Sequence, residues 1–270
     1  FLESTGTTAT ADIELHNANA TYTSATVYDT ITVDSTALSG RSLINAVAEL
    51  DGKVVINTGA GADIITGSAS ANFGDSITSG AGNDTLKFAY DGLTSADTVT
   101  AGDGTDTLEV TSAGTVADAA FTNVTGIETV KATTGTALTL TVGTEAAEAG
   151  VTSITFDDED GDDSLTVAAG FTSNLTVALD DDTDNNDTNA IDATNYTKVL
   201  TITGEDKFIT NQLALSTITG GTGSDVLQLT ADADTDTIEA ADLASITKIE
   251  TFQFLEKATT TATVDLTIHN

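Results

Sequence analysis

Four times along this chain, two glycines bracket a single residue, an aspartate stands two places after the second glycine, and an apolar residue closes the pattern two places later. The copies read Gly59-Ala-Gly61-Ala-Asp63-Ile-Ile65, Gly80-Ala-Gly82-Asn-Asp84-Thr-Leu86, Gly102-Asp-Gly104-Thr-Asp106-Thr-Leu108 and, much later, Gly221-Thr-Gly223-Ser-Asp225-Val-Leu227. The first three aspartates are 21 and 22 residues apart, and nine residues before two of them lie echoes without the glycines, at Asp75 and Asp97. A strand with its turn takes about nine residues, so two such halves make one coil of a parallel β-solenoid. Coils stack about 4.8 Å apart. The spacing therefore places Asp63, Asp84 and Asp106 in a column on one edge, with Asp75 and Asp97 on the opposite edge. A single Gly-Asp turn also suits an antiparallel hairpin; four copies in one register favour the coil.

Stacked carboxylates repel unless cations lie between them. Glycine reaches positive φ without a Cβ clash and lets carbonyl oxygens turn inward. Together the turn carbonyls and the aspartate make an all-oxygen set, which suits Ca²⁺ with its six to eight flexible ligands better than octahedral Mg²⁺. The predicted ligands are Gly59, Gly61, Asp63, Gly80, Gly82, Asp84, Gly102, Gly104, Asp106, Gly221, Gly223 and Asp225, with Asp75 and Asp97 on the second edge. Composition agrees. Forty-two acidic residues face eight basic ones for a net charge of -34, and 30 of the acids are Asp. A halophilic solvated surface has the same composition; it is the positions of the aspartates that favour cation sites. The charge excludes a nucleic-acid backbone binder and a polybasic membrane contact, and no apolar run is long enough to span a bilayer as a helix.

The pattern resembles the repeats-in-toxin (RTX) nonapeptide, Gly-Gly-x-Gly-x-Asp-x-apolar-x, which forms a calcium-binding β-helix. The likeness is degenerate: only the late copy keeps a leading pair, Gly220-Gly221. Two copies also open a longer duplicated unit. After Asp106 comes Phe121-Thr-Asn-Val124-Thr-Gly-Ile127-Glu128-Thr-Val130, and after Asp225 comes Leu243-Ala-Ser-Ile246-Thr-Lys-Ile249-Glu250-Thr-Phe252. Between turn and strand, Val116 to Asn123 and Ile238 to Ser245 have helical character. This unit is similar to Caulobacter-type S-layer proteins exported by type I secretion. The resemblance covers roughly 51–132 and 216–256. It implies an extracellular, calcium-stapled solenoid that associates with itself into a lattice on a bacterial cell, with a surface polysaccharide as a candidate anchor and neither nucleic acid nor membrane insertion involved.

The fold class expected is all-β, a degenerate RTX-like parallel β-solenoid. Residues 1–50 carry strands and a capping helix, 51–132 the first repeat block, 133–215 a Thr/Asp-rich strand block, and 216–270 a second repeat unit. The helix is read at 41–50, where Leu43, Ile44, Val47 and Leu50 fall at helical spacing between Ser39 or Ser42 and Gly52. In the strand block, apolar residues alternate with Thr, which suits further solenoid or a β-sandwich equally. Acidic loops at 157–163 and 180–187, and the alternating Asp232, Asp234 and Asp236, are either loose calcium sites or solvated turns. No methionine is present and no signal-peptide pattern opens the chain, so a processed or partial chain is expected. Catalysis is not expected. His16 and His269 stand near opposite ends, and without Cys or Trp there is neither a thiolate nor an indole-lined sugar cleft. The function read from sequence is a structural, calcium-dependent, self-assembling surface protein; the alternatives are the repeat region of an RTX-type adhesin or the subunit of an extracellular filament.

Overall fold

The computed structural model describes residues 10–16, 30–50, 52–70, 73–133, 137–156, 162–179, 188–205, 208–231, 235–256 and 263–267. The chain divides into two compact units. One comprises 1–112 with 116–130 and 148–151; the other comprises 113–115, 131–147 and 152–270. Both are built from short strands that pair in parallel.

In the first unit β1 (Ala11–His16), β3 (Ser42–Ala48), β5 (Ile64–Thr66), β7 (Thr85–Phe88) and β9 (Thr107–Val110) form one sheet. The intervening β2 (Thr30–Asp34), β4 (Lys53–Asn57), β6 (Ser76–Thr78) and β8 (Thr98–Thr100) form the facing sheet with a later strand, β11 (Val124–Thr125). Register follows the repeat length: Ile64 pairs with Thr85 and Thr85 with Thr107. Alternation decides which side chains enter. Ile44, Ile65, Leu86 and Leu108 point in from one sheet, Ile56, Ile77 and Val99 from the other, and all are essentially inaccessible.

The second unit repeats the scheme. Its strands are β13 (Leu138–Val142), β14 (Ser153–Phe156), β15 (Ser164–Val167), β16 (Leu175–Ala178), β17 (Ala190–Asp192), β18 (Leu200–Gly204), β19 (Thr217–Thr219) and β20 (Val226–Ala231). Odd strands pair with odd and even with even, always in parallel. The Thr/Asp-rich block is thus solenoid and not sandwich. Its interior takes Phe171 and Tyr196, ring centroids 6.0 Å apart, with the Tyr196 hydroxyl donating to the Ser173 carbonyl.

The duplicated segment has a specific architectural role. After β9 the chain lays down β10 (Gly114–Val116), makes a 3-10 turn at Asp118–Phe121, returns to β8 as β11, and continues as β12 (Thr129–Ala132) into β13, which pairs with β10. One short sheet ends and its successor begins. The second copy does the same: β21 (Thr235–Glu239), β22 (Ile246–Thr247) on β19, β23 (Thr251–Glu256) on β20, then β24 (Thr263–Thr267) on β21. Here turns occupy Ala240–Ser245, so the helical reading of Ile238–Ser245 does not hold, whereas Val116–Asn123 does contain its helical turn.

The helix read at 41–50 is a correction. Ser42–Ala48 of that stretch form strand β3, in which Ser42, Ile44 and Ala46 are buried while Val47 is 45% exposed, and Leu50, beyond the strand, is 54% exposed. The helical spacing of Leu43, Ile44, Val47 and Leu50 loses to parallel partners on both sides, β1 and β5, which demand period two. Among the described residues the α-helix is instead Thr144–Ala149, the run Thr-Glu-Ala-Ala-Glu-Ala. Ala and Glu are strong helix formers, and Gly150 follows at φ 108, the left-handed residue that ends helices. Among the described residues a π-type turn also spans Phe208–Gln212. The loops at 157–161 and 180–187, and the side chains of Asp232, Asp234 and Asp236, lie outside the described residues.

Candidate metal centre

Asp63, Asp84 and Asp106 stand immediately before β5, β7 and β9, so strand register stacks them in a column. All three are buried. One oxygen of each ties neighbouring coils together: Asp84 Oδ1 accepts the Asp63 amide at 2.8 Å, Asp106 Oδ1 accepts the Asp84 amide at 2.7 Å, and Asp63 Oδ1 accepts the Ser42 amide. The other oxygen is different. Oδ2 of Asp63, Asp84 and Asp106 is buried and meets no hydrogen-bond donor among the described residues. The Ser79 hydroxyl, which donates to the Ala101 carbonyl at 2.8 Å, also lies close enough to Asp84 to favour its charged form.

The glycine turns complete the surroundings. They stack through Ala60, Ala81 and Asp103, which form parallel bridges from coil to coil. At Gly82, φ 135, an added Cβ would lie 2.1 Å from the Gly61 carbonyl oxygen; at Gly104, φ 149, it would lie 1.8 Å from that of Gly82. The turn carbonyls press where only hydrogen fits. Gly80 and Gly102 meet the Gly59 and Gly80 oxygens in the same way, and Gly59 and Gly61 meet the backbone of Leu38 and Gly40.

Burial drives the protonation chemistry. Asp84 is pushed up to about 6, first by burial and then by the charges of Asp106 and Asp63, against the opposing Asp63 amide and Ser79 hydroxyl. Asp106 is raised by burial and by Glu128, again against a backbone amide. In a metal-free column these carboxylates are held in an environment that resists their charge.

The second edge is built otherwise. Asp75 and Asp97 also stack, with Asp97 Oδ1 accepting the Asp75 amide at 2.7 Å. Both remaining oxygens are used, however. Asp75 accepts the Ser68 amide and hydroxyl at 2.7 and 3.0 Å, and Asp97 Oδ2 accepts the Thr94 amide at 2.6 Å and its hydroxyl at 3.1 Å. Burial raises Asp75 to about 6 in spite of Ser68, with Asp97 adding to the rise, and it raises Asp97 as well.

The late motif stands apart from the first three. Asp225 Oδ1 accepts the Leu200 amide at 2.9 Å and Oδ2 the Gly221 amide at 2.6 Å, so neither oxygen lacks a donor. Gly221 and Gly223 pack on the carbonyls of Tyr196 and Lys198, a turn without the Gly-x-Gly-x-Asp pattern.

Two further carboxylates belong to these columns, and a third heads a column of its own. Glu128 Oε2 accepts the Asp106 amide at 2.8 Å and Glu250 Oε2 the Asp225 amide at 2.7 Å, so each Ile-Glu-Thr segment carries its column one coil further. The Asp-to-Glu spacings of 22 and 25 residues, one coil each, were the signal for them. Asp163, buried ahead of β15, accepts the Leu138 amide at 2.8 Å. It heads a third column that continues through Asn189 and Ser216, and it closes the acidic loop 157–163 that the sequence offered as a loose calcium site or a solvated turn.

Among the described residues no three acidic or imidazole side chains gather into a metal cluster. A Gly-x-Gly-x-Asp turn does not require one, because Ca²⁺ accepts backbone carbonyls as readily as carboxylates. The donor set fits that ion: hard oxygens only, a buried anionic oxygen without a donor in each of three successive coils, and carbonyls packed where a Cβ would intrude. Asp63, Asp84 and Asp106 with the carbonyls of their glycine turns would hold it.

A family model described as the RTX calcium-binding nonapeptide repeat matches in four copies, over residues 55–86, 90–110 and 216–240. No curated protein and no solved structure matches the chain. The chain therefore carries RTX calcium-binding repeats within a parallel β-solenoid.

Proposed function

We propose that this protein is a structural component of a bacterial cell surface, in which Ca²⁺ bound along the Asp63–Asp84–Asp106 column completes the fold and licenses self-association into an S-layer-like lattice. The observation that carries the reading is the row of buried, unsatisfied Oδ2 atoms. A buried carboxylate oxygen without a donor is costly, and three in consecutive coils make sense as one half of a coordination set whose other half is a cation. The RTX repeats support calcium as the ion and an extracellular setting, since proteins with such repeats are typically secreted. The charge supports a calcium-rich exterior, where divalent ions screen the net charge of -34. The role is architectural and not catalytic, and a surface polysaccharide is the proposed anchor.

The test is electron microscopy and circular dichroism of purified protein with calcium and with excess chelator. Ordered arrays and full β-signal in calcium, both lost on chelation, are expected. A monomeric rod in calcium would replace the lattice with a spacer in an adhesin, and fibres would replace it with a filament. Identical spectra and particle size in both conditions would remove calcium from the account.

A further inference from the structure

The carboxylate column outlasts the glycine turns that lie beside it. Asp106 closes the third Gly-x-Gly-x-Asp turn and is fully buried, and its Oδ2 meets no donor among the described residues. In the next coil the column position belongs to Glu128, half-buried, whose Oε2 accepts the Asp106 amide at 2.8 Å. That contact repeats the rule of the column, in which Asp106 Oδ1 holds the Asp84 amide and Asp84 Oδ1 the Asp63 amide. The backbone follows the same rule: the Thr129 amide donates to the Asp106 carbonyl as the Thr107 amide does to that of Asp84.

What changes is the corner. Val124 and Thr125 are in register with Val99 and Thr100, so both coils enter it together. From Thr100 the chain takes six residues to reach Asp106, through Gly102 and Gly104; from Thr125 it takes three to reach Glu128, through Gly126 alone. Gly126, at φ 76, lies on Gly102, and an added Cβ would be 2.9 Å from the Gly102 amide nitrogen and 3.3 Å from its carbonyl oxygen. An ion between two glycine turns can draw carbonyl oxygens from both. Beyond the third turn the shortened corner brings no Gly-x-Gly pair, so further oxygens have to come from a side chain. Glutamate suits that need, because Ca²⁺ takes its carboxylate in a one- or two-oxygen mode. The two acids are also close enough for the Glu128 charge to bear on Asp106.

We propose that Glu128 is a calcium ligand, which with Asp106 supplies the carboxylates of an outermost site one coil past the last Gly-x-Gly turn. The proposal rests on the calcium column proposed above and adds to it a residue outside the matched repeats, which break off at 110 and resume at 216. An ion held there ties β9 to the returning segment that carries β11, the last strand of its sheet. The second copy of the duplicated segment is the built-in control. Glu250 Oε2 accepts the Asp225 amide at 2.7 Å, and the Lys248 carbonyl oxygen lies 2.0 Å from where a Cβ on Gly220 would be. There, however, Asp225 Oδ2 already accepts the Gly221 amide at 2.6 Å, and a lysine stands where the first copy has Gly126. The backbone scheme is the same, but no oxygen is left for an ion.

Glu128→Gln keeps an oxygen for the Asp106 amide and removes the charge. Calcium binding to native protein and to the variant is followed by titration calorimetry, with bound ions counted by equilibrium dialysis. The variant is expected to keep its β-signal and to bind one ion fewer per chain, or to hold that ion roughly tenfold or more weakly. Glu250→Gln is expected to bind as native protein does. An unchanged count and affinity in Glu128→Gln would overturn the ligand role and leave Glu128 as an acceptor for one amide. Native protein that binds no calcium would overturn the column itself, and the calcium reading of the function with it. Should Glu128→Gln lose its β-signal, hydrogen exchange of native protein decides. Calcium added to chelated protein is expected to slow the Glu128 and Thr129 amides, which donate to the Asp106 carbonyl, roughly tenfold or more beyond the Glu250 and Thr251 amides, which donate to that of Asp225. Equal slowing of the two pairs would overturn the proposal.

Discussion

Two charges at a coil spacing of about 4.8 Å repel by about 3 kcal/mol at an effective dielectric constant of about 20. The Asp63, Asp84 and Asp106 carboxylates meet that repulsion with their Oδ2 atoms buried and undonated. Protonation and calcium are the two remedies, and they pull in opposite directions with pH. Asp75 and Asp84 each titrate near 6 in the folded chain against 3.8 when unconstrained. A raised folded value means stabilisation that is complete below about pH 4 and is lost as pH rises through about 6. For Asp75 the span amounts to about 3 kcal/mol. Chelated protein is thus expected to melt at a higher temperature at pH 4.5 than at pH 7. With calcium present the trend reverses, since protons displace the ion. Scanning calorimetry at both pH values, with and without chelator, checks the crossing. Asp34, Asp162 and Asp192 do not blur this window: their Thr hydroxyl and amide donors lower them, so their contributions vanish only below the ordinary Asp range. Asp84→Asn isolates the column. It is expected to raise the chelated melting temperature and to cut the calcium-induced rise by half or more, because the central ligand charge is gone.

Glycine turns set how closely one coil sits on the next. Gly82→Ala combines a left-handed φ of 135 with a Cβ 2.1 Å from a carbonyl oxygen, and is expected to cost about 2 kcal/mol or more. Gly92→Ala, on a turn with φ in the ordinary range and its tightest contact at 2.9 Å, is expected to cost less by denaturant unfolding. These turns were legible because Gly-x-Gly-x-Asp fixes backbone sign and side-chain position at once, and the strands at 138–204 because Thr and apolar residues alternate. Other elements were not. In β3 the inward set is Ser42, Ile44 and Ala46, two of them small, so the bulkier Val47 and Leu50 advertised a helix that parallel pairing overrules. The helix at Thr144–Ala149 has no apolar stripe beyond alanine and hid in a Thr-rich run. Glu128 and Glu250 escaped as column members because a longer carboxylate replaced the expected aspartate; only the coil-length interval betrayed them. Satisfaction of Asp75 and Asp97 by local amides and hydroxyls depends on Ser68 and Thr94, which no motif spacing marks, and that of Asp225 on the Gly221 amide, a motif residue read as a carbonyl ligand.

At the scale of the whole chain, the two units should respond unequally to calcium. In the first, three Gly-x-Gly-x-Asp turns follow one another and three Oδ2 atoms lack donors. In the second, the late motif has no such neighbour beneath it and Asp225 is satisfied by amides. The inner columns there also trade carboxylate for neutral groups, from Asp163 to Asn189 and Ser216. With one carboxylate, Asp163, and one stacked pair, Asp225 with Glu250, that fold carries less like-charge strain than the first unit's row and gains less from an ion. Hydrogen exchange followed by mass spectrometry resolves the two directly. Adding calcium to chelated protein is expected to slow exchange of the amides of β5, β7 and β9 by a hundredfold or more, about 2.7 kcal/mol of added local stability, the linkage gained when free ion exceeds its dissociation constant about a hundredfold. Amides of β14, β16 and β18 are expected to change by less than a tenth of that factor. Equal protection in both units would mean that calcium acts by screening the net charge everywhere and not by occupying a column in one.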